Sequence, residues 1–362
     1  MNTSPTIIIL VGITGDLAQR KLLPAIESLG KKELLPEHFK VVGITRRDDQ
    51  PDLFKMDLED AAEYERLAKY LESIEKEWST PAQRLFYLSV PPTVASPIIE
   101  QLGKSGLAKM PQTKVLLEKP FGIDLADAKA LISHIDTYFN EDQVYRIDHY
   151  LAKKPVRALV DSTLDLATIE KIQVTALETL TIEKRAEFYE QTGALRDFAS
   201  HLLETAALAL HPINRLELLK ECSVIPESVK RGQYNGYREA VGNPTSVVET
   251  FVSLTLQSSG PIFTGTIEVK TGKALKEKKT DLTIFYKDGA TNVIALHDPS
   301  LRSGQAREHS YETVFLDVIA GHHEFFISAE EVLETWRIIA PVQAAWQQSG
   351  DDLFMYEQGS AL

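Results

Sequence analysis

The stretch "IIILVGITGDLAQRK", residues 7–21, sets the fold: five apolar residues, Ile7 to Val11, run into a glycine, and a helix-compatible segment opens directly after it. An apolar run without alternation suits a strand buried on both faces of a parallel sheet. Gly12, Gly15 and Ala18 then stand in a G-x-x-G-x-x-A spacing, a variant of the dinucleotide fingerprint. A glycine at the strand end permits a tight turn, and a second lets backbone N–H groups approach a pyrophosphate. The helix N-terminus that follows favours the anion. Gly12, Thr14, Gly15, Asp16 and Leu17 are therefore the candidate cofactor loop. On its own the spacing also fits an ordinary strand-to-helix turn, so its context has to decide. Pro24 falls inside the helical segment and predicts a kink there.

The context repeats the signature. "FKVVGIT" (39–45), "RLFYLSV" (84–90) and "TKVLLE" (113–118) are further apolar strands, and "QVYRI" (143–147) is a weaker fifth. Helical patterns lie between them at 53–78 and 124–139, the second with Asp124 as a plausible N-cap. Strand–helix alternation implies right-handed crossovers and a doubly wound parallel sheet. Past residue 165 the rhythm changes to "IEKIQVTALET", "TSVVETFVSLTLQ", "FTGTIEVKTG", "KTDLTIFYKDG" and "TNVIALHD", strands separated by short turns. Short links favour antiparallel or mixed pairing. Helical patterns interrupt them near 195–210 and close the chain at 308–320 and 328–347. The expected fold class is an α/β Rossmann-like dinucleotide-binding domain over residues 1–150, followed by an α+β domain over 151–362 with a large, mostly antiparallel sheet.

Composition narrows the function. With 362 residues and 43% hydrophobic content the chain can bury a sizeable core. A formal charge of -13 argues against nucleic acid or an anionic membrane as partner. Cys222 is the only cysteine, which excludes an intrachain disulfide framework. No His/Asp/Glu spacing matches a zinc or calcium site, so no metal is expected. The first residues lack the pattern of a signal peptide, and no apolar run reaches the roughly 20 residues of a membrane span. The chain reads as soluble and cytoplasmic.

The second strand distinguishes between cofactors. An NAD site usually places an acid near that strand's end, for the ribose hydroxyl. Here "VVGITRRDD" brings Thr45, Arg46 and Arg47 first. Guanidinium groups suit a 2′-phosphate and hence NADP; a solvated cluster paired with Asp48 and Asp49 is the plainer alternative, and NAD stays open.

"YRIDHYLAKK" (145–154) packs an acid, an imidazole, phenols and amines into ten positions, a density unusual in an ordinary strand or helix. With "GITGDLAQRKLLPAI", "FYLSVPP", "EKPFG", "RIDHYLAK", "GALRDFASHLL" and "TGKALKEKKT" in this order, the chain resembles the glucose-6-phosphate dehydrogenases along nearly its whole length. "EKPFG" and "RIDHYL" are the specific motifs.

The resemblance implies roles. His201 is the base that takes the sugar C1 hydroxyl proton, and Asp148 orients its imidazole. His149, Tyr150 and Lys153 bind the 6-phosphate. Lys273 and Lys278 are substrate contacts from the second domain, and Lys21 is another. Lys119 lies between sugar and nicotinamide, Asp197 and Glu183 accept sugar hydroxyls, and Pro91 with Pro92 turns the chain beside the cofactor. Glu118 could equally be a structural partner at its strand end. The resemblance also implies a homodimer or homotetramer.

Departures accompany it. The chain is shorter than typical members, Ala152 replaces a family glycine, Lys154 replaces an acid, and His201 follows Asp197 by four residues where the family has five. On a helix one residue is about 100° of rotation, so a widened turn has been deleted or the loss is absorbed where the helix begins. Three functions stay in view: NADP-linked oxidation of glucose 6-phosphate, the same reaction on a related 6-phospho or 6-sulfo aldose, and a catalytically silent NADP-binding partner protein.

Overall fold

Thr6–Val11 (β1) is buried at all six positions, because it runs parallel between Phe39–Thr45 (β2) on one side and Gln83–Leu88 (β4) on the other. A central strand covered on both faces has no solvent side on which to place a polar residue, hence its unbroken apolar run. The computed structural model describes residues 4–47, 52–110, 112–160, 164–182, 185–297, 303–348, 350 and 352–362. Two compact units divide the chain: Met1–Gly122 with Ala126–Ala152 and Leu301–Ala329, and Ile123–Leu125 with Lys153–Ser300 and Glu330–Leu362.

In the first unit, Phe54–Lys55 (β3), Thr113–Glu118 (β5) and Val144–Ile147 (β6) complete a parallel set in the order β6-β5-β4-β1-β2-β3. The strand Phe326–Ile327 adds antiparallel to β6, making seven strands among the described residues. The strand order reverses between β1 and β4. In open α/β sheets that reversal leaves a crevice at the carboxyl ends of the strands, where ligands bind.

One local expectation is corrected. The pattern over 53–78 is not helix throughout: Phe54 and Lys55 form the short edge strand, and the helix is Ala61–Trp78. Asp60 sets that start by accepting the Ala62 N–H at 2.9 Å. Pro24, expected to kink its helix, lies in the first turn of Leu23–Lys31. The turn before it widens into a π-helical segment, Ala18–Leu22, and helical backbone runs on through Leu23–Lys31 with the proline in its first turn. There the missing N–H is tolerated.

The division at residue 150 also needs amending. Residues 301–329 pack with the first unit, where Tyr311, Val314, Phe315, Val318 and Phe326 share one core with Ile8, Leu10, Leu85 and Leu116. Phe315 is fully buried there, a contribution of roughly 1.5–3 kcal/mol.

The second unit is built on an eight-stranded sheet. Its main path runs 291–295, 279–286, 169–177, 264–272, 251–259, 230–234 and 353–356, with Cys222–Val224 pairing beside 251–259. Two pairings are parallel, 169–177 with 264–272 and 230–234 with 353–356; the others are antiparallel. The helix Ala186–Leu210 packs across the 169–177 and 264–272 strands. Among the described residues no helix is long and apolar enough to cross a membrane.

Candidate active site

The carboxyl edge of the first sheet gathers most of the residues singled out from sequence. Gly12 leaves β1 with φ +84°, a conformation that L side chains rarely adopt. An added Cβ would stand 2.7 Å from the Ser89 carbonyl oxygen and 2.9 Å from Val90 Cγ1. Only glycine lets the loop lie this close to the end of β4. The Gly15 N–H donates to the Gly12 carbonyl at 2.8 Å, and Gln19 Nε2 to the Ile13 carbonyl at 2.8 Å, which closes the loop over Thr14. Asp16 and Leu17 open the helix. Asp16 meets Arg20 at 3.3 Å in an exposed pair of the kind that adds little stability. Lys21 sits in the widened turn Ala18–Leu22, one turn in from the loop.

At the end of β2, Thr45 is buried and its hydroxyl accepts the Arg47 N–H at 3.1 Å. That bond turns the chain so that Arg46 and Arg47 leave the sheet exposed to solvent. The alternative pairing with Asp48 and Asp49 falls outside the described residues. At the end of β4, the Ser89 hydroxyl donates to the Val11 carbonyl at 2.7 Å, and Pro91 and Pro92 turn the chain into the helix Pro92–Lys104.

Lys119 follows β5, and Glu118 ends that strand beside Ile147 of β6. Tyr87 donates a short hydrogen bond to Glu118 Oε1, and Tyr311 is a second donor to the carboxylate. Burial nevertheless pushes the Glu118 carboxyl up to about 7; the tyrosines pull it down and the charge of Asp148 pushes it up further. An acid raised in the folded state keeps a proton that the unfolded chain has lost. Its contribution is full below its ordinary value of 4.5 and is lost as pH rises through about 7. Glu249 is raised to about 7 as well, again chiefly by burial. Melting temperatures measured from pH 4.5 to 8 should therefore fall less steeply in Glu118→Gln than in the wild type, with the Glu249 part of the slope remaining. An unaltered slope would contradict the assignment.

Asp148 is 1% exposed at the end of β6, and its Oδ1 accepts the Tyr150 N–H at 2.8 Å. This short loop fixes the next two side chains, and the His149 and Tyr150 rings meet edge-on at 5.2 Å. Ala152 buries its methyl group in the first unit's core, which accounts for a side chain where the family has glycine. Lys153 begins the second unit and caps the short helix Lys154–Arg157.

In the second unit the helix Ala186–Leu210 carries one non-helical residue, Gly193, at φ 59° and ψ -174°. A Cβ there would lie 2.4 Å from Glu249 Oε1. The glycine lets Glu249 cap the stretch that follows, its carbonyl accepting the Ala194 N–H at 3.0 Å and its carboxylate the Leu195 N–H at 2.9 Å. From Ala194 onward the helix is regular. Asp197 and His201, four residues apart, share a face, and the buried His201 accepts the Thr205 hydroxyl at its carbonyl at 2.7 Å. No widened turn lies between them.

Lys273 is buried and ion-paired with Glu178, with its ammonium 6.0 Å from the Tyr189 ring centroid. Glu178 escaped the sequence reading. What places it is register: Leu177 pairs with Gly272 in the parallel ladder, and the Glu178 N–H donates to the Gly272 carbonyl at 2.9 Å. The next residue on each strand then meets the other. Lys278 is exposed on the turn five residues further on and makes no hydrogen bond or ion pair among the described residues. Glu183 lies outside them.

Comparison with known proteins matches two family models end to end. "Glucose-6-phosphate dehydrogenase, NAD binding domain" matches residues 9–57 and 49–158, and "Glucose-6-phosphate dehydrogenase, C-terminal domain" matches 156–303 and 296–361. The glucose-6-phosphate 1-dehydrogenase of Chlamydia pneumoniae is 29% identical over 474 aligned positions, covering 99% of this chain and 93% of that one. That of Bacillus subtilis (strain 168) is 32% identical over 352, covering 79% and 72%. A solved glucose-6-phosphate dehydrogenase in complex with its substrate glucose-6-phosphate shares the fold, with a TM-score of 0.87, 22% identity, and coverage of 100% of this chain and 96% of that one.

Proposed function

Because the chain belongs to the glucose-6-phosphate dehydrogenase family, we propose that it oxidises D-glucose 6-phosphate at C1 to 6-phospho-D-glucono-1,5-lactone with NADP, the entry step of the pentose phosphate pathway. The observation that carries the reading is the span of the match: the cofactor half and the C-terminal half of the family both occur in one chain, from residue 9 to residue 361.

The residues present suit the cofactor. Gly12 leaves backbone room that a Cβ would fill. Gly12, Thr14, Gly15, Asp16 and Leu17 would offer N–H groups at a helix N-terminus to the pyrophosphate. Arg46 and Arg47 would take the 2′-phosphate, with Pro91 and Lys119 along the nicotinamide side. NADP, when bound, supplies the acceptor for the hydride leaving C1.

The chain's own work is acid–base chemistry and positioning. His201 takes the proton of the C1 hydroxyl as the C–O bond becomes the lactone carbonyl, and Asp148 holds the imidazole in the accepting tautomer. His149, Tyr150 and Lys153 bind the 6-phosphate. Lys21, Lys273 and Lys278 are further substrate contacts, and Asp197 and Glu183 accept sugar hydroxyls. Following NADPH absorbance across a panel of sugar phosphates tests the reading. Glucose 6-phosphate should give the highest kcat/KM; a higher value for another 6-phospho or 6-sulfo aldose would move the substrate. Absence of turnover on the whole panel, with NADP still bound, would favour the silent partner protein.

We further infer a homodimer or homotetramer, as the family resemblance implies, in a cytoplasmic setting, as the sequence composition suggests; the strand and helix patterns of the second unit survive although the chain is short. Sedimentation at micromolar concentration should give a species of at least twice 40.5 kDa. A 40.5 kDa species alone would contradict it.

A further inference from the structure

Tyr189 stands one turn before the Gly193 break and is 1% exposed. Its ring meets the Tyr237 ring edge-on at 6.2 Å, and the Lys273 ammonium lies 6.0 Å from its centroid. Around it the polar groups are paired. Tyr237 donates its hydroxyl to Glu190 at 2.9 Å, Ser246 and Asn243 complete that carboxylate at 2.6 and 2.9 Å, and Tyr356 donates to the Lys273 carbonyl at 2.8 Å. The Tyr189 hydroxyl is the exception, since it has no hydrogen-bond partner among the described residues. Burial, then the charges of Asp197 and Glu249, hold the phenol far above its ordinary range, so it stays a neutral donor.

A buried hydroxyl without a partner is destabilising, and in a native protein such a group calls for an explanation. The neighbours supply one, because the ammonium beside the ring and the carboxylate weighing most on the phenol belong to Lys273 and Asp197. We propose that the Tyr189 hydroxyl is a substrate-binding group, donating to an oxygen of the sugar phosphate that Lys273 and Asp197 engage, and standing unpaired without it. The inference rests on the reading of Lys273 and Asp197 as substrate residues. A site that hydrogen-bonds a substrate oxygen through a buried donor also disfavours analogues lacking that oxygen, so Tyr189 is a specificity determinant as well.

Tyr189→Phe removes the hydroxyl and keeps the ring with its Tyr237 and Lys273 contacts. The variant should raise the KM for glucose 6-phosphate about tenfold, the loss of one hydrogen bond. The KM for NADP and kcat should stay within about twofold. The free protein should melt at the same or a higher temperature, because an unsatisfied buried group has gone, and glucose 6-phosphate should raise that temperature less than in the wild type. A lower melting temperature with an unchanged KM would show a structural hydroxyl and overturn the proposal. An equal ligand-induced shift in both proteins would overturn it too. The wild type separates this from the parent reading: if glucose 6-phosphate neither turns over nor shifts its melting temperature, the substrate assignment itself fails, and the proposal falls with it.

Discussion

His201→Asn should lower kcat for glucose 6-phosphate oxidation by about 10²–10⁴-fold while the affinity for NADP stays within about twofold. The C1 hydroxyl is a weak acid, and the hydrogen on C1 leaves as hydride only as the hydroxyl oxygen sheds its proton. Asparagine is polar and smaller than the imidazole, and it cannot take that proton. The fold should tolerate the exchange, since the helix around His201 is held by Glu249 at its start and by the Thr205 hydroxyl on the His201 carbonyl. Initial rates give kcat, and quenching of protein fluorescence by NADP gives the binding constant. Near-normal turnover in the variant would move the base to another residue.

Replacing Arg46 and Arg47 together by alanine should lower the ratio of kcat/KM for NADP over that for NAD by at least about tenfold. A hydrogen bond to a charged group is worth about 1.5–3 kcal/mol, and 1.4 kcal/mol is a factor of ten. Both side chains stand in solvent at the end of β2, where Thr45 aims the chain. Exposed charges are screened, so the wild-type preference should also shrink as salt is raised. The same ratio in the double variant would remove both arginines from the 2′-phosphate.

The parts that sequence made legible are those whose physics is local. β1 and β4 are buried at every position and β2 and β5 at most of theirs, which forces apolar runs, and the glycine loop shows through because Gly12 must avoid a Cβ. Lys230–Tyr234 stayed hidden because its buried residues include Arg231 and Gln233. Arg231 is paired with Asp352 at 2.8 Å, and Gln233 donates to the Ser246 and Val248 carbonyls. Partners more than a dozen or a hundred residues away leave no trace in a strand's own pattern. Glu178 was missed for the same reason, since its tie to Lys273 spans a parallel register between distant strands. The helical pattern over 308–320 was plain, but amphipathicity names a buried face and not the sheet that buries it.

That last helix has a consequence for the order in which the chain is made. Synthesis runs from the N-terminus at roughly 5–20 residues per second, and domains generally fold as they emerge. Here the first unit's parallel strands are all made by Ile147, yet Tyr311, Phe315, Val318 and Phe326 of the same core come more than 160 residues later. At that rate a nascent chain spends roughly ten to thirty seconds with β1, β4, β5 and β6 present and one side of their core uncovered. An apolar sheet face left open that long is a target for chaperones and for other nascent chains. The first unit can close only after residues 301–329, made behind most of the second unit, have emerged.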